Sequence, residues 1–77
     1  MDSKWVLVDI WRSEGNTECN EWWMARVEVK KNKFVTVWRN VYYSIDKSRE
    51  YSYFVECRDR KYDTAGDAMK AARRIFS

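Results

Sequence analysis

Residues 21–43, EWWMARVEVKKNKFVTVWRNVYY, decide the fold of this chain. From Glu21 to Lys30 apolar and polar side chains alternate, and Lys33 to Tyr43 is again rich in the β-branched and aromatic residues that strands favour. Lys31 and Asn32 between them fit a tight turn, because Asn tolerates the left-handed backbone conformation. The stretch therefore predicts an antiparallel β-hairpin.

Strict alternation divides the side chains of this hairpin between two faces of a sheet. In the first strand the candidate core face holds Trp23, Ala25, Val27 and Val29. The opposite, amphipathic face holds Trp22, Met24, Arg26, Glu28 and Lys30. In the second strand Phe34, Thr36, Trp38, Asn40 and Tyr42 share one face, and Val35, Val37, Arg39, Val41 and Tyr43 share the other. A bulge near Arg39 or Asn40 would exchange these two sets, so the sequence does not decide which face of the second strand is buried.

The segments flanking the hairpin predict further strands. Lys4 to Trp11 is apolar on both faces, which indicates a central or partly covered strand. Ser13 to Asn20 is polar and reads as a loop. After a turn, Glu50 to Arg58 predicts a fourth strand, and residues 59–62 form a short polar connection.

A C-terminal helix is predicted from the spacing of its apolar residues. These recur every three or four positions and comprise Ala65, Ala68, Met69, Ala72, Ile75 and Phe76. Either Asp63 or Thr64 can be the N-cap, and Thr64 with Asp67 three residues later resembles a capping box. The small alanines let the helix lie close to a sheet.

These elements predict an α+β fold: an antiparallel meander of three to four strands with one C-terminal helix packed on one face. A chain of 77 residues is expected to form one small domain, residues 1–77. The second face of the sheet is left open unless a partner covers it. Thirteen aromatic residues are too many for so small a core, so some rings should remain at the surface as a contact site.

Several residue types that support catalysis are absent or rare. The chain has no His, and its two glycines, Gly15 and Gly66, cannot build a phosphate-binding loop. We therefore expect a non-enzymatic protein without a cofactor or a metal site. Cys19 and Cys57 are expected to be reduced thiols, and a disulfide between them is the alternative that the sequence does not exclude. With no signal peptide and no apolar run long enough to span a bilayer, we expect a cytoplasmic protein that does not engage membranes.

The first functional hypothesis is nucleic-acid binding through a basic and aromatic sheet face. The net charge is +3, but residues 1–25 carry −3 and residues 26–77 carry +6. Exposed rings can stack on bases while Lys and Arg neutralise phosphates. The residues predicted to form this site are Trp22, Arg26, Lys30, Lys31, Lys33, Trp38 and Tyr42.

One short segment bears on this hypothesis. Residues 62–68, YDTAGDA, resemble the segment that opens the helix of the plant AP2-type DNA-binding domain. In that family the three-stranded sheet before the helix lies in the major groove of DNA, whereas here we interpret the match as local convergence. It is confined to these seven residues, and we assign no DNA-contacting residue from it.

Protein binding is the alternative. Interface cores are enriched in Trp, Tyr, Met and Arg, and Trp22, Trp23 and Met24 are consecutive. A small binding module of this kind would suit an adaptor or an inhibitor such as those that phages and mobile elements encode. It would act through an exposed aromatic surface or by forming a homodimer.

Overall fold

The sheet contains five antiparallel strands in chain order. In the computed structural model, which describes residues 4–75, the order β1-β2-β3-β4-β5 follows the sequence directly. The strands are β1 (Val6–Arg12), β2 (Glu18–Lys30), β3 (Lys33–Ser44), β4 (Lys47–Val55) and β5 (Lys61–Tyr62). A short 3-10 turn, Glu14–Asn16, lies between β1 and β2, and the helix α1 (Ala65–Arg74) follows β5. The predicted α+β meander with a C-terminal helix is confirmed.

The central hairpin is the predicted one. Lys30 pairs with Lys33 across the turn, and Asn32 adopts a φ of 62°, the left-handed conformation that the turn requires. The backbone N–H of Asn32 donates to the Glu28 carboxylate at 3.2 Å. No register shift interrupts β3 near Arg39 or Asn40, so its buried face is the one that carries Val35, Val37 and Val41.

The core lies between one face of the sheet and α1. Its buried members come from β2, β3, β4, β5 and α1, and they are Val27, Val35, Val37, Val55, Tyr62, Ala68 and Ala72. Of the predicted core face of β2, Ala25 and Val27 are buried, whereas Trp23 and Val29 are half-buried. Met69 and Ile75 pack against this core from the helix. Phe76, the last residue of the predicted apolar stripe, lies outside the described residues.

The helix begins where the sequence predicts. Thr64 is the N-cap, and its side chain accepts a hydrogen bond from the backbone N–H of Asp67 at 3.1 Å. Arg73 and Arg74 occupy the last turn, where the helix dipole favours cations. Ala68 and Ala72 face the sheet and are fully buried, which allows close approach of helix and strands.

The helix covers only part of its sheet face. Ten helical residues span roughly 15 Å, whereas the longest dimension of the molecule is 46 Å. Beyond the helix the face is covered by Trp5 and Trp23, with the guanidinium carbon of Arg39 at 4.6 Å and 5.3 Å from their ring centroids. Glu21 continues this cover, because its carboxylate accepts hydrogen bonds from the Trp23 indole and the Tyr43 hydroxyl.

Four local expectations were wrong. β2 begins at Glu18, so the last three residues of the segment expected to be a loop belong to a strand. β4 begins at Lys47 and ends at Val55, so Cys57 lies in an exposed turn with a φ of 65° instead of on a strand. The expected polar connection contains β5, because Tyr62 is buried and its backbone pairs with Tyr53. The segment expected to be a central or partly covered strand is the edge strand β1, and every residue of Val6–Arg12 is exposed. Both cysteines are free thiols.

Candidate binding surface

The face of the sheet opposite α1 contains a shallow aromatic cleft. Its lining residues come from β1, β2, β3 and β4, and they are Val8, Asp9, Trp22, Trp38 and Phe54. The cleft has a volume of about 350 Å³. The Trp22 and Phe54 rings lie 5.7 Å apart between centroids and are inclined by 40°. We call these five residues the aromatic cleft.

Alternation along the strands brings the three rings to one face. Trp38 is opposite Met24 on β2 and opposite Phe54 on β4, so the three side chains share a face. Trp22 lies two residues before Met24 and therefore projects to the same face. Each ring is half-buried, which leaves part of its surface available for contact.

A bulge in β1 brings Asp9 to this cleft. Leu7 is opposite Trp23, and strict alternation would put Asp9 on that same helix-side face. The register instead shifts between Leu7 and Asp9, so that Asp9 is opposite Trp22. One oxygen of the Asp9 carboxylate accepts the backbone N–H of Ile10 at 2.9 Å. The bulge thus adds one acidic group to an otherwise apolar cleft.

The seven residues predicted to form the site fall into three separate groups. Trp22 and Trp38 line the aromatic cleft. The four cations Arg26, Lys30, Lys31 and Lys33 are exposed near the tip of the β2–β3 hairpin. Tyr42 lies toward the opposite end of β3, where its register partners are Asn20 and Glu50.

Besides Trp22, whose ring contacts that of Phe54, Arg26 and Tyr42 already make contacts within the protein. The guanidinium carbon of Arg26 lies 5.1 Å from the centroid of the Phe34 ring. The hydroxyl of Tyr42 donates to the carboxylate of Glu18. This hydrogen bond raises the pKa of Tyr42, with smaller contributions from desolvation and from the charges of Glu18 and Glu50. The surroundings of Tyr42 are therefore acidic, unlike the hairpin tip.

Lys30 departs from the predicted alternation. The register between β2 and β3 shifts between Glu28 and Lys30, so that Lys30 is opposite Lys33 at the turn. Lys33 precedes Phe34 and projects to the other face of β3. The regular interleaving of rings and cations predicted for one sheet face therefore ends at Arg26.

The two free edges of the sheet differ in chemistry. Within residues 4–75, β1 has no strand on its outer side. Five of its apolar side chains are between 39 % and 55 % exposed: Val6, Leu7, Val8, Ile10 and Trp11. At the other edge β5 pairs only with Tyr53 and Phe54, and the uncovered part of β4 carries Arg49 and Glu50. Charged residues are a usual protection of strand edges, and β1 has only Asp9 and Arg12.

A second concavity lies on the helix side, between the segment before β5 and α1. Its volume is about 640 Å³. It is lined by Arg58, Arg60, Lys61, Tyr62, Asp63, Asp67, Lys70, Ala71 and Arg74. Arg60 stacks on the Tyr62 ring with its guanidinium carbon 4.8 Å from the centroid. We call this the basic groove, because cations outnumber carboxylates along it.

Sequence reasoning missed Val8, Asp9 and Phe54 as members of the cleft. Phe54 could have been found, since its position on β4 puts it beside Trp38 once the strand register is known. Asp9 could not, because the bulge that turns it toward Trp22 has no signature in the residues around it.

Comparison with models of known protein families finds no match for this chain, and comparisons with curated proteins and with solved structures find none either. Within the part of the chain that the structure describes, no helix is long and apolar enough to cross a membrane.

Proposed function

We propose that this chain is a non-enzymatic protein-binding module that receives an extended segment of its partner along the free edge of β1. The observation that supports the proposal most is that β1 lies at the edge of the sheet and exposes apolar side chains on both of its faces. An added strand would satisfy the outward N–H and C=O groups of β1 and cover its apolar side chains. Main-chain hydrogen bonds would then supply much of the affinity.

The contrast between the two edges supports this proposal. Exposed apolar edge strands are a liability, because they template aggregation, and β4 carries charges where it is uncovered. The same protection is largely missing from β1, where Leu7 and Ile10 are 42 % and 39 % exposed. An apolar edge is useful to a protein only if something covers it in the functional state.

The test compares peptide binding by variants of the two edges. Peptides that bind the protein are selected from a display library, and their affinities are measured by calorimetry. The double variant Leu7→Lys/Ile10→Lys places charges on β1, and Tyr51→Lys is the matched control on β4, where Tyr51 is 45 % exposed. We expect the β1 variant to lose about tenfold or more in affinity and the control to bind as the parent does.

Two results would overturn the proposal. One is that no selected peptide depends on Leu7 and Ile10. The other is a concentration-dependent dimer, detected by sedimentation, that the Leu7→Lys/Ile10→Lys variant abolishes, because a second copy would then be the occupant of the edge. Since both positions are exposed, the double variant should unfold within about 0.5 kcal/mol per site of the parent protein.

Nucleic-acid binding remains the second candidate function. It is favoured by the gathering of Arg26, Lys30, Lys31 and Lys33 at one hairpin tip, and the basic groove adds a further cationic surface. A site built on the hairpin predicts that Arg26→Ala/Lys30→Ala/Lys33→Ala abolishes oligonucleotide binding. That affinity should also fall steeply as salt rises. Oligonucleotide affinity that is unchanged in this triple variant would exclude the hairpin as the contact.

A further inference from the structure

Arginine–ring contacts recur throughout this protein. Arg39 lies over both Trp5 and Trp23, with centroid distances of 4.6 Å and 5.3 Å. Further contacts among the described residues pair Arg26 with Phe34, Arg49 with Tyr43 and Arg60 with Tyr62, at 4.8–5.1 Å. These distances are within the range in which a guanidinium is attracted by the face of an aromatic ring.

The three rings of the aromatic cleft differ from this pattern. Among the side chains that the structure describes, which do not include that of Lys47, no cation lies over Trp22, Trp38 or Phe54 at such a distance. The charged group that lines the cleft with them is the carboxylate of Asp9. Three ring faces beside one carboxylate are complementary to a planar organic cation, which can stack on a ring and pair with the carboxylate.

The position of the cleft next to β1 indicates where such a cation would come from. Val8 and Asp9 line the cleft and belong to the edge strand. Side chains of a strand paired with β1 alternate between the two faces, so every second one projects on the cleft side next to Asp9. A strand paired with β1 lies about 10 Å from β2 and further from β3 and β4. An arginine at one of these positions can therefore reach Asp9 and the near side of the cleft, at Val8 and Trp22.

A second copy of this chain does not supply that cation through its own β1. On the cleft side β1 presents Val6, Asp9 and Trp11, which are opposite Met24, Trp22 and Asn20, together with the bulge residue Val8. Arg12 is opposite Cys19 and belongs to the helix side. Self-pairing of β1 would therefore add a second Asp9 to the cleft side, and like charges repel.

We infer that the aromatic cleft is a specificity pocket for an arginine side chain of the partner, which enters the cleft beside Val8, contacts the near side of Trp22 and pairs with Asp9. The inference rests on the proposed function, because it takes the partner segment to lie along β1. It names the chemistry of that partner: an extended segment with an arginine facing the cleft.

The test uses the amino acid derivative alone, so that it does not depend on strand pairing. N-acetyl-arginine methylamide is titrated into ¹⁵N-labelled protein, and the indole N–H signals of Trp22 and Trp38 are followed by NMR. The matched ligand is N-acetyl-citrulline methylamide, which has nearly the same shape and no charge. N-acetyl-lysine methylamide distinguishes a planar cation from a compact one.

We expect millimolar binding of the arginine derivative and at least roughly fivefold weaker binding of the citrulline and lysine derivatives. Asp9→Asn should weaken arginine binding by a similar factor while the indole spectrum of the free protein is retained, because Asn can still accept the Ile10 N–H. Asp46→Asn is the control, since Asp46 is an exposed carboxylate in the β3–β4 turn.

The outcomes separate the two proposals. Equal binding of arginine and citrulline derivatives, or no response of the Trp22 and Trp38 signals to either, would overturn the arginine pocket. Selected peptides that depend on Leu7 and Ile10 but lack arginine would overturn the pocket and leave the edge-binding proposal standing. Arginine binding that persists when no selected peptide uses β1 would overturn the edge-binding proposal and leave the cleft standing as a site for an arginine side chain.

Discussion

At the scale of single residues, this protein combines aromatic rings with a few charged groups. Arg39 between Trp5 and Trp23 covers the sheet where the helix ends, and Glu21 ties Trp23 to Tyr43. The same residue types were visible in the sequence, but their pairing was not, because it depends on which side chains the register sets opposite each other. The half-buried rings of Trp5, Trp23 and Tyr43 thus cover the helix-side face, whereas Trp22 and Trp38 line the cleft on the opposite face.

The environment of Tyr43 makes stability depend on alkaline pH. Hydrogen bonds with the Cys19 thiol and then the Glu21 carboxylate are the main causes that raise the pKa of Tyr43 to about 12, from 10.0. The folded state therefore favours the protonated phenol, and its contribution to stability is complete below pH 10. It is lost as the pH rises from 10 to about 12, because the unfolded chain releases this proton more readily.

We therefore expect the free energy of unfolding to fall with rising pH across this interval. Urea unfolding at several pH values measures it, and the fall should be smaller in Tyr43→Phe, which has no phenolic proton. Other groups that titrate in this range act equally on both proteins. Equal pH slopes for the parent and the variant would show that Tyr43 is not the group responsible.

The valines of β3 and β1 allow the same substitution to be compared inside and outside the core. Val37 is fully buried and Val8 is 49 % exposed. Val37→Ala should lower the free energy of unfolding by about 2–3 kcal/mol, a large share of the stability of a small domain. Val8→Ala should change it by less than about 0.5 kcal/mol. Denaturant unfolding measures both, and equal losses would contradict the assignment of β1 to the surface.

At the scale of elements, the helix and the central hairpin were predictable because their signals are local. The Thr64 cap, the alanine stripe and the Lys31-Asn32 turn each act within a few residues of sequence. The ends of β4, the strand β5 and the bulge in β1 were not predictable, because each depends on pairing with another strand. Apolar residues on both faces of β1 indicated burial, yet the strand is at the edge of the sheet.

The cap of α1 provides a test at this scale. Thr64→Ala removes the acceptor of the Asp67 N–H and should cost about 0.5–2 kcal/mol of unfolding free energy. Thr64→Ser keeps the hydroxyl and is the matched control, which should lose little. Thermal and urea unfolding compare the two variants. A Ser variant as unstable as the Ala variant would mean that the threonine methyl group, not the cap, is what matters.

At the scale of the whole molecule, the fold separates three surfaces. The helix covers part of one face of the sheet, and the hairpin tip and the basic groove carry cations. β1 and the neighbouring aromatic cleft carry exposed apolar side chains around Asp9. The excess of aromatic residues predicted exposed rings, and the position of the aromatic cleft on the face opposite the helix follows from alternation. Which residues line the cleft, and that Asp9 is one of them, could be known only from the pairing register of the four strands.

The most direct test of the account is hydrogen exchange of the β1 amides with and without a selected peptide. Pairing of the peptide with β1 should slow exchange at the outward-facing N–H groups among residues 6–12 and leave the uncovered part of β4, residues 48–52, unchanged. A bound peptide that leaves exchange in β1 unchanged would contradict the claim that this edge is the binding site.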